Sequence, residues 1–134
     1  MAATKTWTAA LCVIGDEILS GRTQDKNIAQ LALWLNDQGI ELAEVRVVAD
    51  IEERIVEAVN ALRARYDYCF TTGGIGPTHD DITVDSIAAA FGVGVVVHPE
   101  ARRMLEDYYR GRPGGFELTE ARLRMARTPE GAEL

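Results

Sequence analysis

An α/β domain with a mostly parallel sheet covered by helices on both faces is what this sequence predicts, on three observations. Short apolar runs such as Trp7 to Ile14 and Tyr68 to Phe70 alternate with longer stretches that place apolar residues at helical spacing. Turn and capping residues, chiefly Gly, Asp and Pro, stand at the changes between them. Strands that alternate with helices in this way pair in parallel through right-handed crossovers. At 134 residues and 47% hydrophobic content, the chain is long enough and apolar enough to bury one real core.

Taken in order, Trp7 to Ile14 is an apolar strand that ends at Gly15-Asp16-Glu17. After the polar loop Ser20 to Gln24, Asp25 can cap a helix running to about Gln38, with Ile28, Leu31, Ala32 and Leu35 on one face and Gly39 as its stop. Residues 41–48 alternate and then turn apolar, which makes a second strand. Asp50-Ile51-Glu52-Glu53 opens a second helix in the manner of a capping box, and Ile55, Val59 and Leu62 give it a buried stripe. Tyr68-Cys69-Phe70 is the third strand, and Val84 to Phe91 is a helix for which Thr83 is a suitable N-cap, with Asp85 in the first turn. Val93 to Val97 is a short β-branched strand, Pro99 opens a helix through Tyr109, and residues 111–115 break it. A last helical segment, Leu118 to Arg127, leads to Pro129.

Between the third strand and its helix lies the stretch that carries chemistry, Thr71-Thr72-Gly73-Gly74-Ile75-Gly76-Pro77-Thr78-His79-Asp80-Asp81-Ile82-Thr83. Three close glycines let the backbone approach a ligand and aim several N–H groups one way, and the helix start adds a positive dipole end. The loop has neither dinucleotide-binding spacing nor the Gly-Lys-Ser/Thr of a nucleotide-triphosphate loop, and glycines can also serve a turn alone. Pro77-Thr78-His79-Asp80-Asp81 is more than a turn needs, so we read a site. Asp80 and Asp81 would repel a phosphate unless a divalent cation bridges them to it, and Mg²⁺ is typically held by one or two carboxylates plus substrate phosphates. In parallel sheets ligands bind at the carboxyl ends of strands where strand order reverses. Polar residues follow three strand ends: Gly15-Asp16-Glu17, Asp50 and the glycine loop. If the first and third strands are neighbours, their loops share one cleft. Asp50 fits an N-cap and a site acid equally well, Glu17 could be a solvated loop acid, and His79 is an exposed loop histidine.

Charge narrows the partners. The formal net charge is −7, and residues 1–97 hold 14 acidic against 7 basic side chains while residues 98–134 are balanced. An anionic ligand enters against that field, and nucleic acid is a poor partner. Arg102, Arg103, Arg110, Arg112, Arg122, Arg124 and Arg127, interleaved with acids, read as a solvated or subunit-facing surface, which together with Trp34 and Tyr108-Tyr109 suggests a homo-oligomer. No apolar run approaches the ~20 residues of a membrane helix, and the first residues lack a secretory apolar core, so a cytoplasmic protein without membrane attachment is expected. Cys12 and Cys69 fall inside predicted strands and read as buried structural thiols.

Gly15-Asp16-Glu17-Ile18-Leu19 with Gly21 and Asn27, then Asp50, then Thr72-Gly73-Gly74-Ile75-Gly76-Pro77-Thr78 with Asp80-Asp81-Ile82-Thr83, resembles the molybdopterin-binding domain superfamily. Within it the chain is most similar to the N-terminal domain of the competence/damage-inducible protein A (CinA) family, and to the similar domain fused to eukaryotic FAD synthases. The resemblance spans nearly the whole chain. It implies a three-layer α/β/α fold of the molybdenum-cofactor-biosynthesis-protein type, one domain over residues 1–134 whose relatives continue past Leu134 into a further strand, and adjacent first and third strands. It places Gly73, Gly74 and Gly76, with Thr72, Pro77, Thr78 and Thr83, against a phosphate or pterin-type ligand, with Gly15, Asp16 and Glu17 facing it. It makes Asp50 and Asp81 the acids tied to metal binding and adenylyl transfer, with Asp80 a further metal ligand. Two functions follow: a binding module for a molybdopterin-type ligand, or a Mg²⁺- or other divalent-dependent enzyme acting on a phosphoanhydride, as an ADP-ribose pyrophosphatase or a nucleotidyl transferase does.

Overall fold

A computed structural model describes residues 5–112 and 118–134. Its order is β1 (Trp7–Ile14), α1 (Asp16–Leu19), α2 (Asn27–Asp37), β2 (Ile40–Val48), α3 (Glu52–Arg65), β3 (Tyr68–Thr72), α4 (Thr83–Phe91), β4 (Val95–Val97), α5 (Pro99–Arg110), α6 (Glu120–Arg124) and β5 (Arg127–Pro129). The main sheet is parallel with strand order β2-β1-β3. The chain leaves β1 for β2 on one side, then returns past β1 to place β3 on the other. Right-handed crossovers in opposite directions put α2 and α3 on opposite faces, so the expected three layers are present.

β1 is the middle strand, and Ala9 to Ile14 are all buried. Ala10, Cys12 and Ile14 face α3, where Ile55, Ala58, Val59 and Leu62 form the buried stripe that the spacing predicts, joined by Ala90 of α4. The alternate residues Ala9, Leu11 and Val13 point to the opposite face. That is the α2 side, and α2 buries Leu35. Burial pushes the Cys12 thiol up to about 11, and both cysteines are free, in agreement with structural thiols.

Helix boundaries follow local chemistry, with four differences from the sequence reading. The Asp25 carboxylate accepts the Ile28 N–H at 2.8 Å and Gly39 ends α2 at a φ of 77°, as expected. Asp50, however, does not cap α3. Ile51 occupies that position without a side-chain cap, because the Asp50 carboxylate is drawn to the start of α1 instead. Nor is Thr83 an N-cap. It is the first residue of α4, buried, and its hydroxyl is turned back onto the glycine loop. The fourth strand is shorter than expected, Val95–Val97. Finally, the predicted helix over 118–127 is a short α6 followed by strand β5, which pairs antiparallel with β4 in a second, two-stranded sheet. Helical spacing in Leu123-Arg124-Met125-Ala126 hid that strand, because a three-residue strand has too little periodicity to register. The break expected over residues 111–115 lies partly outside the described residues; α5 itself ends at Arg110, with Gly111 as its C-cap.

Candidate functional site

The carboxyl ends of β1 and β3 are neighbours, with Val13 paired to Thr72. The loops that follow them therefore meet at the switch point of the sheet, which is where the sequence placed the cleft. On the β1 side, the Gly15 N–H donates to the Val48 carbonyl at 3.0 Å and closes β1 against β2. Asp16 and Asp50 then bind each other's backbone. The Asp16 N–H donates to Asp50 Oδ2 at 3.0 Å, and the Asp50 N–H donates to Asp16 Oδ1 at 3.1 Å. This reciprocal pair ties the loops after β1 and β2 into one unit and leaves one oxygen on each carboxylate without a donor among the described residues. Glu17 lies beside Gly15, close enough that a Cβ there would meet its carboxylate at 2.6 Å.

On the β3 side, glycine is required at two positions. Gly73 has a φ of 91° and Gly74 a φ of 66°, the left-handed region. A Cβ at Gly73 would stand 2.0 Å from the Ile14 carbonyl oxygen, and one at Gly74 would stand 2.2 Å from Thr83 Oγ1. The loop is thus pressed against the end of β1 on one side and the start of α4 on the other. Thr83 fixes it there: its hydroxyl donates to the Gly73 carbonyl at 2.7 Å and its N–H to the Gly74 carbonyl at 3.1 Å. Both carbonyls are directed toward α4.

The second half of the loop closes on Asp81. The Thr78 N–H and Oγ1–H donate to Asp81 Oδ2 at 3.0 and 2.8 Å, while the Asp81 N–H returns to the Thr78 carbonyl at 3.1 Å. These bonds, the Thr78 hydroxyl foremost, hold the Asp81 carboxyl below the usual carboxylate range against a smaller opposing effect of burial; the N–H groups of Thr78 and Gly76 and the Arg124 charge add to the lowering. Gly76 lies against the same carboxylate, with a would-be Cβ 2.7 Å from Oδ2. Asp80 and His79 are not part of this arrangement. Their side chains are 87% and 91% exposed and, among the described residues, pair with each other at 3.5 Å.

Two arginines missing from the sequence-based site complete it. Arg124 Nε donates to the Thr78 carbonyl at 2.9 Å and its Nη2 to the Asp81 carbonyl at 3.1 Å. The same Nη2 lies 3.5 Å from Asp85 of α4, and Arg127 from β5 also binds Asp85. Both arginines are about three-quarters buried within the chain, so for these two the solvated half of the solvated-or-subunit-facing reading is corrected. A cavity of about 210 Å³ opens between Gly74, Gly76, Asp81, Arg124 and Arg127, and one of about 750 Å³ lies beyond it between Thr78, Val97, Leu123 and the same two arginines. The only signal for these residues in the sequence was the run of arginines itself. Their contact with the loop depends on the β5 turn that the sequence did not reveal.

The expected metal ligands are only partly gathered. Asp16 and Asp50 are together, Asp81 is engaged by Thr78, and Asp80 points to solvent. Among the described residues no group of three or more His, Cys, Asp or Glu side chains could hold a metal ion by itself. No helix among them is long and apolar enough to cross a membrane.

Comparison with known proteins fits this architecture. The family model described as "Probable molybdopterin binding domain" matches residues 10–128. A CinA-like protein of Kosmotoga olearia is 36% identical over 124 residues, covering 92% of this chain and 30% of that protein. The crystal structure of a CinA protein of unknown function from Thermoplasma acidophilum superposes with a TM-score of 0.82 at 32% identity, covering 92% of this chain and 70% of that one. The molybdopterin biosynthesis Mog protein of Mycobacterium ulcerans gives a TM-score of 0.56 at 27% identity, over 75% and 64% of the two chains. The chain spans less than half the length of the curated relatives it matches. Adjacent β1 and β3 ends, a glycine loop with no room for a Cβ at Gly73 or Gly74 and a family match over nearly all of the chain agree: this chain belongs to the molybdopterin-binding domain family and is a CinA-like member of it.

Proposed function

We propose that the domain binds a phosphorylated pterin of the molybdopterin type, or a related nucleotide, at the loop from Thr72 to Thr83. The observation that carries this reading is the packing of Gly73 and Gly74. Both have positive φ and no space for a Cβ, while their carbonyls are bound toward Thr83, so the loop is shaped at some cost in conformational freedom. With both carbonyls engaged by Thr83, the N–H edge of the turn is left for an anion. Pro77 and Thr78 close the loop, and Gly15, Asp16 and Glu17, in the segment that follows the neighbouring strand β1, are the residues we assign to the other side of the ligand.

The second reading, a divalent-dependent hydrolase or nucleotidyl transferase acting on a phosphoanhydride such as ADP-ribose, is favoured by the Asp16–Asp50 pair. Two carboxylates brought together, each with one oxygen lacking a donor among the described residues, are a hard-oxygen donor set of the kind Mg²⁺ accepts. The set is incomplete without phosphate oxygens and water, as Mg²⁺ sites at phosphates generally are. Asp50 and Asp16 are the residues that would hold the ion, while Asp81, bound by Thr78, is not grouped with them. When bound, it would neutralise charge on the phosphoanhydride. The chain's own residues orient that ligand: the glycine loop takes its phosphate, and Thr78 holds the Asp81 carboxylate in place as an acceptor.

Thermal unfolding in the presence of phosphorylated pterins, ADP-ribose and FAD-related nucleotides, each with and without Mg²⁺, distinguishes the readings. A pterin-specific rise in midpoint independent of Mg²⁺ supports the binding module. A rise with ADP-ribose or a dinucleotide that requires Mg²⁺, together with release of a nucleoside monophosphate, supports the enzyme. No rise with any of them removes both.

A further inference from the structure

We propose that Arg124 is the positioning residue of the binding loop: its guanidinium bridges the Thr78 and Asp81 carbonyls and so holds the loop in its binding shape. The inference rests on the reading of that loop as the ligand site and names what keeps it in place. The turn from Thr78 to Asp81 has a single backbone bond of its own, from the Asp81 N–H to the Thr78 carbonyl. Arg124 grips the same two residues from outside, Nε on one carbonyl at 2.9 Å and Nη2 on the other at 3.1 Å. Those carbonyls belong to the residues whose side chains form the Thr78–Asp81 contact. Fixing the carbonyls therefore fixes the carboxylate that faces Gly76.

Chemistry selects arginine for this task. A planar guanidinium presents donors in a rigid fork and spans two acceptors, whereas an ammonium is a point donor on a flexible stem. The guanidinium is aimed in turn by Asp85 in the first turn of α4, the helix whose Thr83 holds the other half of the loop. Arg127 shares Asp85, so α6 and β5 grip the loop and the helix behind it together. One helix start thus governs both halves: Thr83 directly on the glycines, and Asp85 through Arg124 on the Thr78 turn.

The test compares the parent chain with Arg124→Ala and Arg124→Lys. Amide hydrogen exchange without ligand reads the loop, urea unfolding reads global stability, and calorimetry with ADP-ribose plus Mg²⁺ and with a phosphorylated pterin reads binding. Arg124→Ala is expected to speed exchange at residues 76–81 while β1 and α3 amides stay protected, and to weaken binding about tenfold or more. Methylguanidinium, well below concentrations that unfold the parent, should restore both readouts in Arg124→Ala and leave the parent unchanged. Arg124→Lys should remain impaired. Unchanged loop exchange in Arg124→Ala would overturn the proposal, as would a loss of binding that merely tracks a lower urea midpoint and is not rescued. If the parent binds neither probe, the proposed function fails by itself. Loop exchange and its rescue still decide the role of Arg124.

Discussion

At the scale of single residues, Thr83 and Thr78 determine the site more than the acids beside them. The Thr83 side chain is buried, and its hydroxyl supplies the bond that holds the Gly73 carbonyl. Thr83→Val keeps the shape and removes that donor, so urea unfolding should show a loss of about 1–3 kcal/mol, the usual cost of a buried polar group left without its partner. Thr78 acts on charge. Its hydroxyl is the largest influence lowering the Asp81 pKa. Because the folded-state value lies below the ordinary one, the Asp81 contribution to stability is complete above the ordinary carboxylate range and is lost as pH falls through the folded value. Thr78→Val should move the Asp81 titration, followed by carboxylate NMR, upward toward the ordinary range and shift that loss to higher pH. An unmoved titration would mean that the Thr78 hydroxyl does not bind Asp81 in solution.

At the scale of elements, what could be read in advance divides by length and by distance along the chain. β1, α2, β2, α3 and β3 were legible because each is long enough to show its period and carries its own stop signals, such as Gly39. The glycine loop was legible because Gly73, Gly74 and Gly76 are adjacent in sequence. The pairing of Asp16 with Asp50 was not legible, since its partners lie 34 residues apart, and a carboxylate ahead of a helix looks the same whether it caps that helix or reaches across the sheet. Arg124 was missed for the same reason, since it lies 43 residues along the chain from Asp81. The α3 stripe is an element whose energetics are simple. Leu62 is fully buried against β1, and Leu62→Ala should cost about 2–5 kcal/mol by denaturant unfolding. Asp85→Ala should act on a different element. It leaves Arg124 and Arg127 without their shared carboxylate, so amide exchange over residues 126–130 should accelerate while α3 is unaffected.

For the whole molecule, the question is how a chain with a net charge of −7 receives a phosphorylated ligand. At ~4 Å and an effective dielectric constant near 20, each carboxylate–phosphate contact would cost about 4 kcal/mol. The fold reduces this in two ways. It places Arg124 and Arg127 beside Asp81 and Asp85, which balances the charge around the loop, and it sets Asp16 and Asp50 where a divalent cation could convert repulsion into coordination. If a cation does so, Asp50→Asn should weaken ADP-ribose binding in Mg²⁺ and make it insensitive to EDTA. Equal sensitivity in parent and variant would assign the metal elsewhere. All of this depends on the glycine loop being the binding surface, and one comparison tests that most directly: calorimetric titration of the parent chain and Gly74→Val with a phosphorylated pterin and with ADP-ribose in Mg²⁺, alongside far-UV circular dichroism. We expect the parent to bind at least one of them and Gly74→Val to bind neither while its spectrum stays near that of the parent. A folded Gly74→Val that binds as the parent does would contradict the assignment and reduce the loop to a turn.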